Sequence, residues 1–249
     1  MGGIKVFAFD GDGVVYKGEK LIKETAEVIR MLQKKGIAVY MASNTSSGTR
    51  HKVYKRLNGL IPIDNILTAS DLLLEYLEKH YKYVWPLSNE VIEKEIKERG
   101  LKIDEKKAEC VCLFFHKDFS FSKISIAGKI LLSNKPLLSA NIDRYYLTDE
   151  GIIPGNGFLM RAFESTYKVK AKYFGKPNPE MLLRIARKEN IKTKELALVG
   201  DMFETDVKAA KNAKCLSIYI DNKVPQIVKE KPDIKTTYKE LRNVVESLI

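Results

Sequence analysis

Short apolar runs alternate with segments of helical spacing at both ends of the chain, and this order constrains the fold more than any other feature. IKVFAF (4–9) is a brief, mainly apolar run that ends in polar turn residues, the pattern of a buried strand. Across 23–35, Ala26, Ile29 and Leu32 recur at helical spacing until Gly36 stops them. IAVYMA (37–42) reads as a second buried strand, and a helical stretch is predicted at about 46–58. Strand, helix, strand, helix implies parallel strands joined by crossovers. The alternation returns near the C-terminus: strand AKYFG (171–175), helix 179–189, strand LALVG (196–200), helix 204–213, strand CLSIYI (215–220) and a closing helix at 236–248. The expected fold is α/β, a doubly wound parallel-sheet core.

The middle of the chain has its own set of elements. KYVWPL (82–87), ECVCLFFH (109–116) and KPLLSAN (135–141) read as strands. Residues 88–99 form a charged amphipathic helix, and a helix at 120–134 has Ser120 as its N-cap. The stretch NIDRYYLTDEGIIPGNG reads as a loop. A block of this size, with helices and strands of its own, is expected to be an inserted, smaller α/β domain spanning 76–171. The core would be 1–75 plus 172–249.

Charge raises a different possibility. With 43 Lys+Arg against 32 Asp+Glu the net charge is +11, which invites a nucleic-acid reading. The excess is spread, however: +3 over 1–75, +3 over 76–171 and +5 over 172–249. No basic arm, zinc-finger spacing or RNA-binding aromatic signature accompanies it, so no nucleic-acid partner is expected. Hydrophobic residues at 45 % are enough to build a core. No apolar run approaches the ~18 residues of a membrane helix, so no membrane partner is expected either. The N-terminus runs straight into a strand pattern, and three cysteines make no disulfide framework, so the expected setting is cytoplasmic.

Four motifs sit where strands end, the edge at which open parallel sheets bind ligands. In FDGDGVV (9–15), Asp10 and Asp12 follow a strand, and two carboxylates so close repel unless a cation or proton lies between them. SNTS (43–46) offers Ser43, Asn44 and Thr45 at a strand end, a set suited to an anion. FGKPNPE (174–180) places Lys176 in a proline-stiffened loop. LVGDMFETD (198–206) ends a strand at Asp201, with Asp206 on the following turn. Each motif alone has a plain structural reading, as an Asp-Gly turn, an N-cap or a surface lysine. At one sheet edge they combine into an oxygen cluster for a hard cation such as Mg²⁺ beside groups suited to phosphate.

In order and form these motifs resemble the haloacid dehalogenase (HAD) superfamily of phosphotransferases. Asp10-Gly11-Asp12-Gly13 is similar to its D-x-D-G motif, Ser43 to its strand-end Ser/Thr, Lys176 to its lysine, and Gly200-Asp201 through Thr205-Asp206 to G-D-x-x-x-T-D. About 30 residues separate the first two motifs and about 130 the second and third, so an inserted domain fits only in the later gap. That spacing resembles the NagD-like branch with a late α/β cap, which includes 4-nitrophenyl, phosphoglycolate and pyridoxal phosphate phosphatases. HKDFSFSKI and LLSANIDRYYLTDEGIIPGNG resemble the cap segments of that branch. One departure is Gly11, where a larger apolar residue is common, and a looser loop is the expected consequence.

The resemblance implies a Mg²⁺-dependent hydrolase of small phosphorylated metabolites. Asp10 would be the nucleophile and Asp12 the general acid and base. Ser43, Asn44, Thr45 and Lys176 would bind phosphate. The metal would be held by Asp10, Asp201 and the backbone carbonyl of Asp12, with Asp206 anchoring the surroundings. A phosphotransferase or a phosphometabolite-binding protein on the same fold is the alternative. Asn141 and Asp143, after a strand of the inserted block, either face the active site or form a structural turn. A monomer or homodimer is expected.

Overall fold

Numbered along the chain, and counting the short antiparallel pair β2 (Tyr16–Lys17) and β3 (Lys20–Leu21), the strands built from the most apolar runs are β1 (Val6–Phe9), β4 (Ala38–Ser43), β13 (Leu196–Gly200) and β14 (Leu216–Ile220). All four residues of β1 and all five of β13 are buried, because helices cover both faces and leave no side for polar alternation. With β5 (Ile66–Thr68) and β15 (Ile234–Thr236) they form a six-stranded sheet in the order β15-β14-β13-β1-β4-β5, every pair parallel. In a computed structural model of the chain, residues 3–117, 120–148, 151–223, 226–227 and 230–249 are described. They divide into two compact units. The first comprises Met1–Ser43, Arg50–Thr68 and Lys176–Ile249.

Helix α1 (Lys23–Lys34) buries Ala26, Val28, Ile29 and Leu32 against the sheet, the stripe seen in the sequence. Gly36, at φ +73°, turns the chain out of the helix in a conformation that L side chains resist. Helix α2 (Arg50–Leu57) begins four residues later than the sequence predicts. Residues 46–49 are Ser-Ser-Gly-Thr, whose side chains compete for backbone groups and whose glycine resists helix. Helices α7 (Glu180–Lys188) and α8 (Lys208–Ala213) follow as expected, but α8 is preceded by a wide π-type turn, Phe203–Val207. The closing helix α9 is shorter than predicted, Leu241–Glu246, because residue 236 ends strand β15 and residues 238–240 form a turn.

The second unit comprises Asn44–Thr49 and Ala69–Gly175. Its sheet joins β12 (Lys172–Tyr173), β9 (Leu137–Ser139), β8 (Val111–Leu113), β6 (Tyr83–Leu87) and β7 (Lys102–Ile103) in that order, all parallel. Its helices are α3 (Ala69–His80), α4 (Glu90–Glu98), α5 (Phe121–Leu132) and α6 (Asn156–Tyr167). Ser120 caps α5, accepting from the Lys123 N–H at 3.3 Å. Two expectations change here. The strand before Lys176 does not join the sheet that carries the aspartates; β12 pairs with β9. The stretch read as a loop contains an antiparallel hairpin, β10 (Tyr145–Thr148) with β11 (Gly151–Pro154), and then the start of α6. Asp118 and Phe119 of HKDFSFSKI, and Asp149 and Glu150 of that hairpin, lie outside the described residues. Among the described residues no helix is long and apolar enough to cross a membrane.

Leu32 is fully buried on α1 in the main apolar cluster. Leu32→Ala should lower the stability of the first unit by about 3 kcal/mol in urea denaturation, the usual cost of an unfilled core cavity. A loss below about 1 kcal/mol would show that α1 is not docked as described.

Candidate active site

From β1 the sheet grows in one direction through β4 and β5, and from β13 in the other through β14 and β15. The order therefore reverses between the neighbours β1 and β13, which leaves a crevice beyond their carboxyl ends. Asp10 is the residue after β1 and Asp201 the residue after β13. The Asp10 N–H donates to the Val199 carbonyl at 2.8 Å, so the ladder itself brings the two aspartates side by side.

Lys176 enters between the carboxylates. Its ammonium donates to Asp10 Oδ1 at 2.5 Å and to Asp206 Oδ1 at 2.6 Å, and it is 1 % exposed. The other Asp206 oxygen accepts from the backbone N–H groups of Asp201 (3.1 Å) and Met202 (3.0 Å), so the turn after β13 is pinned by its own aspartate. Gly200 has to be glycine here, since a β-carbon would press on the Asp206 carboxylate. Asp201 Oδ2 accepts from Asn222 Nδ2 at 2.6 Å. Asp201 Oδ1 is buried and has no hydrogen-bond partner among the described residues.

Asp10, Asp201 and Asp206 each bring a carboxylate oxygen within 4.8 Å of the others. When ionised, three carboxylates against one ammonium leave negative charge uncompensated in a buried place. Burial pushes Asp10 up to about 7, against the lowering effect of Lys176 and with a further push from Asp206. Burial, Asp10 and Asp206 likewise raise Asp201 well above the usual carboxylate range. Burial alone would lower Lys176, but Asp10 and Asp206 outweigh it and hold the ammonium above the ordinary lysine value. An all-oxygen donor set with one orphaned buried carboxylate oxygen fits a hard divalent cation.

The loop after β1 is tight. The Gly11 carbonyl accepts from the N–H groups of Val14, Val15 and Tyr16 at 3.2, 2.9 and 3.1 Å. A β-carbon on Gly11 would collide with the Tyr16 hydroxyl and come 3.2 Å from Ser43 Oγ. Gly11 therefore does not loosen the loop: the buried Tyr16 fills the space a larger residue would take. Gly13, at φ +77°, passes so close to Asp201 that a side chain would displace its carboxylate. Asp12 is not part of the carboxylate cluster. Its side chain is 65 % exposed, with the Arg56 guanidinium 3.4 Å away. Although Asp12 still meets solvent, the protein around it desolvates it enough to raise its carboxyl, against the pull of Arg56.

Ser43 ends β4 and is buried. Asn44 and Thr45 belong to the second unit, where a polar network holds the segment 44–46. Asn141, fully buried, donates to the Asn44 carbonyl (2.6 Å), Ser46 Oγ (3.0 Å) and Tyr146 Oη (2.9 Å). Asp143 Oδ1 accepts from the Asn44 amide at 2.8 Å. The Thr45 carbonyl accepts from the Ser70 N–H at 3.2 Å. Asn141 and Asp143 thus organise the strand-end segment. Helix α2 starts at Arg50, seven residues beyond Ser43, rather than directly after the strand end. Sequence reasoning missed Arg56, Tyr16, Asn222 and Gln226, which donates to the Asp201 carbonyl at 3.1 Å. Only the position of Asn222 and Gln226 just past a core strand hinted at them.

Comparison with known proteins identifies the family. Residues 7–102 match the family described as haloacid dehalogenase-like hydrolase, and 173–247 match HAD-hydrolase-like. Together the matches span well over half of the chain, which belongs to the haloacid dehalogenase-like hydrolases. The chain is 27 % identical over 214 residues to the 5'-nucleotidase YutF of Bacillus subtilis, 84 % of each chain being covered. It is 24 % identical to the acid sugar phosphatase of Staphylococcus saprophyticus over 98 % of both. The 4-nitrophenylphosphatase of Thermotoga maritima superposes with a TM-score of 0.87 at 26 % identity, over 97 % of each chain.

Raised carboxyls mean that the folded chain holds protons the unfolded chain has lost, so their contribution to stability falls as pH rises from about 4 through about 7. A cation in the cluster must displace those protons and offsets that loss. Mg²⁺ should therefore raise the thermal midpoint by more at pH 8 than at pH 5.5, by differential scanning calorimetry. Equal shifts at the two values would contradict a cation bound by these carboxylates.

Proposed function

We propose that the chain is a Mg²⁺-dependent phosphomonoesterase of small phosphorylated metabolites, of the sugar phosphate, nucleotide, phosphoglycolate or 4-nitrophenyl phosphate type. The observation that carries this reading is the buried Asp10 at the crevice, held by Lys176 beside an Asp201 oxygen that has no hydrogen-bond partner among the described residues. The names of its relatives, a nucleotidase, a sugar phosphatase and a nitrophenylphosphatase, support the substrate range.

In this reading Asp10 attacks phosphorus, and the bond to the leaving oxygen breaks as an aspartyl-phosphate forms. Asp12 gives its proton to that oxygen and then takes one from the water that attacks the phosphoaspartate, releasing phosphate. Ser43, Asn44, Thr45 and Lys176 hold phosphoryl oxygens, and Lys176 also steadies the Asp10 carboxylate before it reacts. Asp10, Asp201 and the Asp12 carbonyl would hold Mg²⁺, with Asp206 fixing the turn behind them. Mg²⁺, when bound, offsets the carboxylate charge and that of the incoming phosphate. Because Asp10 and Asp12 are both present, turnover is favoured over mere binding. Residues 1–75 and 172–249 would carry the chemistry, and 76–171 would form the substrate-selecting cap. Three unbridged cysteines suit a cytoplasmic setting, and the chain would act as a monomer or homodimer.

Asp10→Asn should reduce hydrolysis of 4-nitrophenyl phosphate in the presence of Mg²⁺ by about 1,000-fold or more, as loss of a nucleophile does. Wild-type rates from that variant would rule out the assignment.

A further inference from the structure

Arg56 is an odd residue for its place. It lies on α2, and its side chain is only 21 % exposed. The guanidinium carbon stacks 3.9 Å from the centre of the Tyr16 ring, which is itself fully buried. One terminal nitrogen donates to the Gly18 carbonyl. The other reaches Asp12 Oδ1 at 3.4 Å. Its Nε lies 3.6 Å from Glu19, whose side chain is 88 % exposed. Withdrawing a guanidinium from water for a weak surface pair would be poor use of a charge. A ring face and a carbonyl instead fix the plane of the fork, leaving one N–H aimed at the Asp12 carboxylate. Among the described residues Arg56 is the one side-chain hydrogen-bond partner of Asp12, and more than half of the Asp12 side chain meets solvent, so without Arg56 it would be free to change rotamer.

We propose that Arg56, held by Tyr16 and Gly18, is a positioning residue that keeps the Asp12 carboxyl in one orientation for proton transfer to the leaving oxygen. The proposal rests on the reading of Asp12 as general acid. In that step the phosphorus–oxygen bond breaks, the new bond forms to Asp10, and the Asp12 proton goes to the departing alkoxide. An alkoxide needs that proton, whereas 4-nitrophenolate leaves well without it. A misplaced acid therefore costs more on an alkyl ester.

The test compares kcat on glycerol phosphate and on 4-nitrophenyl phosphate for wild type, Arg56→Met, Arg56→Lys, Asp12→Asn and the Asp12→Asn/Arg56→Met double variant, all with saturating Mg²⁺. Thermal midpoints confirm that each variant is folded. Arg56→Met should lose about tenfold more on glycerol phosphate than on 4-nitrophenyl phosphate, a fraction of what a general acid contributes. Arg56→Lys should recover part of it, and Arg56→Met should cost nothing further once Asp12 is Asn. Equal losses on both esters, no loss on either, or a full additional loss in the double variant would overturn the proposal. Failure of the reading beneath it would look different: Asp12→Asn would itself show no preference for the better leaving group.

Discussion

A lysine ammonium taken out of water and shared between two carboxylates is the interaction on which the rest of the site depends. Lys176 touches Asp10 at the end of β1 and Asp206 in the turn after β13. Burying such a charge is costly, and only close, hydrogen-bonded counter-charges make it tolerable. In return it fixes three separate stretches of chain relative to one another: the strand end, the loop before α7 and the wide turn before α8. Asp206 passes the constraint on, because its second oxygen holds the backbone of Asp201 and Met202. Neutralising Lys176 would leave three carboxylates facing each other with nothing between them.

Even with Lys176 in place the three carboxylates outnumber the positive charge beside them. Asp10 and Asp201 are driven toward their protonated forms, and one buried Asp201 oxygen has no hydrogen-bond partner among the described residues. The chain as a whole carries +11, so an acidic centre is enclosed in a basic protein. That arrangement divides the electrostatic work. The centre has the donor chemistry that suits a small hard cation, and a net positive chain favours anionic ligands.

Much of this was legible in the sequence because Asp10 and Asp201 stand at strand ends, and strand ends are marked where an apolar run gives way to Asp-Gly or Gly-Asp. Asp10, Asp201, Asp206 and Lys176 all meet as their motifs implied. What could not be read depends on pairing across the fold. The two residues of β12 look like any short strand, and nothing local says that they pair with β9 rather than with the core sheet. The hairpin β10–β11 is short and sits in a polar stretch, so its alternation is lost beside loop signals. Arg56 reads as one more surface charge on a basic helix until the Tyr16 ring is seen beneath it. Gly11 seemed a weakness of the loop, and only the packing of Tyr16 shows why a side chain is excluded there.

In the proposed reaction Asp10, poised by Lys176 and a cation, accepts the phosphoryl group. That step is tested most directly by acid-quenching the enzyme during turnover with Mg²⁺ and mapping any phosphoryl group by peptide mass spectrometry. The expected result is a phosphorylated peptide with the modification on Asp10. A phosphoryl group on a different side chain, or none in a quench that captures the first released alcohol, would contradict it.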